Sequence, residues 1–121
     1  MVKVDHVGIF VSDPKLSAEF YVHHLGFAIE LEPPDGRMVA IKDDADFTIF
    51  LSRDRERASQ AACDLFIQVD DVDAKHRHLA AAGVVFAKPP QKLLWGYGAE
   101  LLDPDGYRVH LWDERSMRER G

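Results

Sequence analysis

Apolar residues recur at every second position in two separate stretches of this chain, residues 7–11 and residues 65–69. Alternation with a period of two predicts a β-strand that buries one face. Each stretch ends at a polar pair and continues into a segment with helical spacing of its apolar residues. A strand followed by a helix is therefore predicted twice, once in each half of the chain.

Both predicted helices have residues suited to begin and end a helix. Asp13 and Asp71 occupy N-cap positions, where a carboxylate accepts hydrogen bonds from free backbone N–H groups, and Pro14 suits the first helical position. Gly26 and Gly83 follow the last helical residues, where a left-handed conformation often ends a helix. The two aspartates and the two glycines are separated by the same distance to within one residue. This spacing predicts an internal repeat.

Three further strand candidates without helical periodicity follow each of these glycines. Turn signals rich in proline, aspartate and glycine, including Pro89-Pro90, separate them. The candidates are residues 27–31, 37–42 and 47–52 in the first half and residues 84–87, 98–102 and 107–112 in the second. Each half therefore has the order β-α-β-β-β, which places the chain in the α+β class.

The predicted boundaries give a single domain built from two modules. Module 1 covers about residues 1–52 and module 2 about residues 63–113, with a linker at residues 53–62. The tail, residues 114–121, is almost entirely charged or polar and is expected to fray. With 121 residues, 46% of them apolar, the chain can bury an ordinary core without disulfides or a structural metal.

The two faces of the predicted strands differ in their chemistry. One face is uniformly apolar and is expected to pack against the helices, in the first module on the side of Leu16, Phe20 and Leu25. The other face mixes aromatic, polar and titratable side chains: His6, Phe10, Phe50, Asp64, Phe66, Gln68, Arg108, His110 and Trp112. A partly apolar concave pocket with a few converging polar groups accounts for this mixture. Trp95 and Tyr97 are predicted to approach it from a glycine-containing loop.

Charge and cysteine content narrow the class of partner. A formal net charge of −6 and a pI near 5.4 disfavour a nucleic acid or an anionic membrane as a partner. Cys63 is the only cysteine, so neither a disulfide nor a cysteine-rich zinc site is predicted within one chain. The first residues lack the organisation of a signal peptide, and no apolar run approaches the length that spans a membrane. A cytoplasmic protein is therefore expected.

Six motifs lie in order along nearly the whole chain: DHVGIFVSD, FYVHHLGF, VDDVDA, AAGV, WG and DPDGYRVHLW. In order and spacing they resemble the vicinal oxygen chelate superfamily, which contains glyoxalase I, bleomycin-resistance proteins and extradiol dioxygenases. The resemblance implies two βαβββ modules that form a curved mixed-sheet cup, usually within a homodimer. It also implies a small-molecule partner.

The resemblance further implies metal-ligand positions on the first and fourth strands of each module, which here hold His6, Phe50, Asp64 and His110. Glyoxalase-like members have a carboxylate at the position of Phe50, and a phenyl ring cannot bind a metal, so a complete four-ligand site is not expected. Extradiol dioxygenases use three positions, filled by two histidines and one carboxylate. His6, Asp64 and His110 supply these residue types in a different order and would suit a divalent metal such as iron, manganese, zinc or nickel.

Two functional hypotheses account for the mixed face. In the first, the protein binds a small organic ligand, a drug or a metabolite, in an aromatic-lined cup whose ligand-binding residues are Phe10, Phe50, Phe66, Gln68, Trp95, Tyr97, Arg108 and Trp112. Aromatic walls favour planar or cationic ligands. In the second, a metal held by the three remaining ligand positions supports a lyase or an extradiol-type dioxygenase activity. A purely structural interpretation also exists, in which Asp64 pairs with Arg108 or His110 and single aromatic residues fill a dimer interface.

Overall fold

The computed structural model describes residues 1–60 and 62–121, and the chain divides into two units, Met1–Ala61 and Ala62–Gly121. Each unit contains one four-stranded mixed sheet and two helices. The predicted α+β class and the β-α-β-β-β order of each half are confirmed.

Unit 1 consists of β1 (His6–Val11), α1 (Pro14–Leu25), β2 (Ala28–Leu31), β3 (Met38–Lys42), β4 (Thr48–Arg53) and α2 (Arg55–Ala58). The strand order in its sheet is β1-β4-β3-β2. The β1–β4 pair is parallel and the other two pairs are antiparallel. The parallel pair consists of the first and last strands of the unit. Helix α1 connects β1 to β2, and a crossover connection of this kind lets strands of one sheet run in the same direction.

Unit 2 repeats this order with β5 (Asp64–Gln68), α3 (Val72–Ala81), β6 (Phe86–Leu93), β7 (Gly96–Leu102), β8 (Arg108–Trp112) and α4 (Glu114–Arg120). The strand order is β5-β8-β7-β6, again with a parallel first pair. Among the helices of the described residues, none has both the length and the apolar character needed to cross a bilayer.

The predicted helix ends are largely confirmed. The Asp13 carboxylate accepts hydrogen bonds from the backbone N–H groups of Lys15 and Leu16, and the Asp71 carboxylate accepts one from Ala74. Gly26 ends α1 in the left-handed conformation, with φ of 79°. Helix α3 ends slightly earlier than predicted, at Ala81, so the left-handed Gly83 lies just beyond its cap.

The apolar strand face forms the core of each unit, as predicted. Leu51 and Val11 are fully buried in unit 1, and Val109 and Leu111 are fully buried in unit 2. The prediction for the packed side of α1 was wrong, because Leu16 is 53% exposed and Phe20 and Leu25 are only half-buried. The helix instead buries Pro14, Ser17, Ala18 and Tyr21, whose spacing of three and four residues places them on one side of a helix.

The tail and the linker are more ordered than the sequence indicated, because aspartates cap helices there. Within the predicted linker, Asp54 caps α2 by accepting from the Arg57 N–H. The predicted frayed tail is helix α4, and Asp113 accepts hydrogen bonds from the backbone N–H of Val72 at 2.6 Å and of Ser116 at 2.7 Å. One buried carboxylate therefore caps both α3 and α4.

The structure also corrects the turn predicted at Pro89-Pro90. This segment lies inside β6, where a turn was predicted, and register shifts occur around it between Phe86 and Lys88 and between Lys88 and Gln91. Since β6 is an edge strand, the missing N–H groups of the prolines are tolerated. The predicted loop that carries Trp95 is a tight turn between β6 and β7.

Candidate functional site

The pairing of β5 with β8 brings the predicted ligand residues of unit 2 together. Asp64 lies opposite Arg108, Phe66 opposite His110 and Gln68 opposite Trp112. Because paired residues on one face of a sheet are neighbours, these six side chains form one patch. This patch lies on the strand face opposite to the buried Val109 and Leu111.

His110 is at the centre of the patch. The residue is 6% exposed, and its Nε2 lies 3.0 Å from Oδ1 of Asp64. The imidazole stacks on the Phe66 ring, with 4.3 Å between ring centroids and 12° between ring planes. Phe66 itself is 55% exposed. A largely exposed phenyl ring thus rests on a buried imidazole.

Trp95 completes an aromatic cluster with these two rings. Its indole lies edge-on to Phe66, with 5.3 Å between centroids, and edge-on to His110, with 5.7 Å. Both interplanar angles are close to 90°, the arrangement in which the positive edge of one ring meets the negative face of another. We refer to Phe66, Trp95 and His110 as the aromatic cluster.

Sequence reasoning missed Glu100, a buried carboxylate in direct contact with the cluster. Glu100 is 4% exposed and is paired with His110 across the β7–β8 ladder. Its Oε1 lies 3.6 Å from Nδ1 of His110 and its Oε2 lies 3.8 Å from Nη1 of Arg108. The signal was present, because Glu100 is the one charged residue in β7. It could be assigned to this patch only once β7 was known to neighbour β8.

The electrostatics of the patch favour a positive charge. Carboxylates lie on both nitrogen sides of His110, with Asp64 half-exposed and Glu100 buried. Within the described residues, Nδ1 of His110 is buried and has no hydrogen-bond partner. The Arg108 guanidinium is largely exposed and lies beyond hydrogen-bond distance of Glu100. A cationic group near these carboxylates would therefore gain favourable Coulomb interactions.

Tyr97 faces a different part of unit 2. Its ring is buried, and its hydroxyl donates to Oδ1 of Asp73 at 2.8 Å and accepts from Arg120 at 3.2 Å. Burial, and then the hydrogen bond to Asp73, raise the pKa of Tyr97. Partial burial alone would raise the pKa of Asp73, but the hydrogen bonds from Tyr97 and Arg120 outweigh it and lower that pKa. Tyr97 thus connects β7 to α3 and α4.

The predicted site residues of unit 1 form two smaller contacts. His6 lies edge-on to Phe50, with 5.1 Å between ring centroids, and its Nδ1 lies 2.6 Å from Oδ1 of Asp5. The Phe10 ring is covered by the Arg57 guanidinium, 4.6 Å from its centroid. A cavity of about 160 Å³ between α1 and β2 is lined by none of these residues.

The donors in the structure do not form the four-ligand metal centre that glyoxalase-like members of the resembled superfamily have. Phe50 offers no donor atom at the fourth-strand position of unit 1, which rules out a four-ligand centre of the glyoxalase kind. In residues 1–60 and 62–121, no three side chains of the histidine, cysteine, aspartate or glutamate type are grouped so as to hold an ion. Asp64 and His110 do approach each other, as an ion pair or as two ligands would.

Comparison with known proteins agrees with the fold. A family model described as "Glyoxalase/Bleomycin resistance protein/Dioxygenase superfamily" matches residues 3–111. The solved structure of TnmS3, an antibiotic binding protein from a Streptomyces species, is 28% identical, with a TM-score of 0.76 over 93% of this chain and 96% of that one. No curated protein sequence matches the chain.

Two further solved structures are similar. A member of the same superfamily from Sphaerobacter thermophilus is 27% identical, with a TM-score of 0.75, and the match covers 94% of this chain and 98% of that one. A lactoylglutathione lyase from Agrobacterium tumefaciens has a TM-score of 0.74 over 95% of this chain and 96% of that one. At 17% identity, this last likeness extends to the fold alone.

Proposed function

The chain belongs to the glyoxalase/bleomycin resistance protein/dioxygenase superfamily, and we propose that it binds a small organic ligand, a drug or a metabolite, at the aromatic cluster of unit 2. The observation that carries this proposal is Phe66, which is 55% exposed although it stacks on a buried imidazole. Its contacts with His110 and Trp95 fix the ring without covering it.

An exposed and immobilised phenyl ring is well suited to bind a planar group. Full burial of a phenylalanine side chain is worth roughly 1.5–3 kcal/mol, and more than half of this surface is still open on Phe66. Because the ring is already held by its neighbours, the Phe66 side chain loses little conformational entropy when a ligand stacks against it. A flat aromatic or heteroaromatic group is therefore the preferred part of the ligand.

The carboxylates beside the cluster favour a ligand that also has a positive charge. Asp64 is half-exposed at the edge of the cluster, and the Glu100 carboxylate lies behind His110. The similar protein TnmS3 is an antibiotic binding protein, which supports an antibiotic as the first compound class to test. We propose that the ligand is a planar, cationic compound of this kind.

The binding proposal is tested by tryptophan fluorescence titration with two cations that contain planar aromatic groups, bleomycin and ethidium. Planar but anionic anilinonaphthalene sulfonate serves as the charge control. We expect saturable quenching by the cations at micromolar concentration and an increase in Kd of about tenfold in Phe66→Leu, the loss of about 1.4 kcal/mol. Phe86→Leu makes the same substitution in the same unit, away from the cluster, and should leave Kd unchanged.

Two results would refute this assignment. If neither cation binds, the proposed ligand class is wrong. If both phenylalanine variants bind as the wild type does, the ligand site is elsewhere in the molecule.

We further propose that the protein is cytoplasmic and that it forms a homodimer, as small members of the superfamily usually do. Light scattering after size-exclusion chromatography tests the mass of the dimer.

A metal-dependent lyase or extradiol-type dioxygenase is the second candidate function. One observation favours it: Asp5 holds Nδ1 of His6, which is how a carboxylate orients an imidazole whose Nε2 binds a metal. The ligands of this candidate are those that the sequence predicts, His6, Asp64 and His110, of which Asp64 and His110 approach each other within unit 2. Purified protein, before and after anaerobic iron loading, should then contain stoichiometric metal that His110→Ala loses and His78→Ala retains. An absence of metal in all of these samples would eliminate this candidate.

A further inference from the structure

The C-terminal helix α4 packs on the strand that follows Trp95. The Arg120 guanidinium lies 4.3 Å from the centroid of the Tyr97 ring, donates to the Tyr97 hydroxyl, and also donates to Asp73 at 2.9 Å. The Met117 side chain lies directly against Gly96, because a Cβ at Gly96 would overlap its sulfur. Helix α4 thus contacts the first two residues of β7.

Trp95 immediately precedes Gly96, one of the two residues that α4 contacts. It lies in the turn between Leu93, the last residue of β6, and Gly96, the first residue of β7. In so short a turn, the backbone position of Trp95 follows from that of its neighbours. Any displacement of the start of β7 would therefore move the indole relative to Phe66 and His110.

Gly98 provides the space in which the indole lies. A Cβ added to Gly98 would overlap the Trp95 ring and also the backbone carbonyl oxygen of Leu111. Gly98 shares a strand face with Glu100, two residues further along β7, and Glu100 contacts His110. The missing side chain at Gly98 therefore lets the indole lie against the sheet on the side of the cluster.

We propose that helix α4 and Gly98 position Trp95 for ligand binding. Met117 and Arg120 fix the start of β7, and Gly98 leaves the indole its place beside Phe66 and His110. Gly98, Met117 and Arg120 act through Trp95 and are positioning residues. This inference rests on the proposed function of the aromatic cluster and adds three residues outside the cluster that determine its shape.

Charge-matched variants of the full chain separate positioning from general stabilisation. Arg120→Ala removes the contacts to Tyr97 and Asp73, and Arg118→Ala removes the same charge from an exposed position of the same helix. Met117→Ala removes the packing on Gly96, and Met117→Leu restores its bulk. Gly98→Ala acts on the indole itself.

The first measurement needs no ligand. The NMR signals of the Trp95 indole N–H, assigned with Trp95→Phe, and of the His110 ring depend on ring currents within the cluster. We expect both signals to shift in Arg120→Ala, Met117→Ala and Gly98→Ala, and to stay in place in Arg118→Ala and Met117→Leu. Ethidium titration of the same variants should show Kd raised about three- to tenfold wherever the signals move.

Unmoved Trp95 and His110 signals in Arg120→Ala and Met117→Ala, together with a lower Tm, would overturn the inference, since α4 would then only stabilise unit 2. Should Gly98→Ala fail to fold, the two helix variants decide the question. Shifted signals in a protein that binds neither cation would contradict the proposed function alone, because the ligand-free spectra report the position of Trp95 independently.

Discussion

Units 1 and 2 have the same strand order but different side chains at matching positions of the sheet. In unit 1 the row across the sheet is Gly8, Phe50 and Ala40; in unit 2 the corresponding row is Phe66, His110 and Glu100. The same backbone pairing thus presents small and apolar groups in one unit, and an aromatic ring, an imidazole and a carboxylate in the other. The repeated fold provides the positions, and the chemistry of the candidate site comes from the residues of unit 2.

The aspartate after the last strand differs between the units in the same way. Asp54 caps only α2, the short helix that ends unit 1, whereas Asp113 is buried and caps both α3 and α4. In unit 2 this residue therefore links the crossover helix to the C-terminal helix, and α4 in turn contacts the hairpin of Trp95. A position with a local role in unit 1 connects three elements in unit 2.

The largest effect is expected for Asp113→Ala. The substitution removes two helix caps and leaves the N–H of Val72 without its buried acceptor, so we expect the free energy of unfolding to fall by about 3 kcal/mol. Asp54→Ala removes a single cap, which is more exposed than Asp113, and should lower the free energy of unfolding by about 1 kcal/mol. Urea denaturation of both variants measures the difference. Equal losses would show that the two aspartates have equivalent roles.

The next effect concerns ligand charge. Glu100→Gln keeps the shape of the side chain and removes its charge, so affinity for bleomycin and ethidium should fall about tenfold, whereas a neutral planar compound should be unaffected. Gln91→Glu, which places a charge on the exposed edge strand β6, is the control and should change neither affinity. Equal weakening of cationic and neutral compounds would indicate that Glu100 supports the shape of the patch and does not attract charge.

The contrast between the units shows what the sequence could predict. Alternation in β1 and β5 and the aspartate and glycine caps yielded the repeat and the element order, because these signals are local. Face sorting also grouped Asp64, Phe66 and His110 correctly, since the parallel β5–β8 register places them side by side. Period-two geometry assigns each residue to a face of its strand, and the pairing of β5 with β8 brings the two faces together.

The errors lie where distant residues decide the structure. Helix α4 is polar except for Met117, and its order comes from Asp113, Arg120 and Met117 acting on other elements, which no local pattern records. Glu100 was missed because a residue of β7 could be assigned to the patch only once the strand next to β7 was known. The pair Pro89-Pro90 predicts a turn, although an edge strand accommodates both prolines.

Acid should weaken unit 2 through its paired carboxylates. Burial opposes ionisation of Asp113, yet hydrogen bonds from Val72 and Ser116 lower its pKa, and the pKa of Asp73 is also lowered. Groups with a lowered folded pKa stabilise the fold fully above the unfolded value of about 4, and this contribution is lost as the pH falls through the folded value. The free energy of unfolding should therefore decrease below about pH 4.

Urea denaturation between pH 2 and pH 6 checks this expectation, with Asp113→Asn as the comparison. The asparagine retains an acceptor oxygen but cannot titrate, so its curve should be flatter below about pH 4 than that of the wild type. Curves of identical slope would assign the acid sensitivity to other carboxylates, among which Asp73 is the next to replace.

The smallest effect is expected at Gly8, the unit 1 counterpart of Phe66. Among residues 1–60 and 62–121, no heavy atom lies within 4 Å of a Cβ built at Gly8, and its φ is not in the left-handed region, so Gly8→Ala should fit without strain. Reduced backbone freedom in the unfolded chain should then raise the free energy of unfolding by about 0.5 kcal/mol. Ethidium affinity should stay constant, because the proposed ligand ring Phe66 has a glycine, Gly8, as its counterpart in unit 1. A loss of affinity in Gly8→Ala, measured by the same titration as for Phe66→Leu, would mean that the unit 1 row also contacts ligand and that the chemistry is not confined to unit 2.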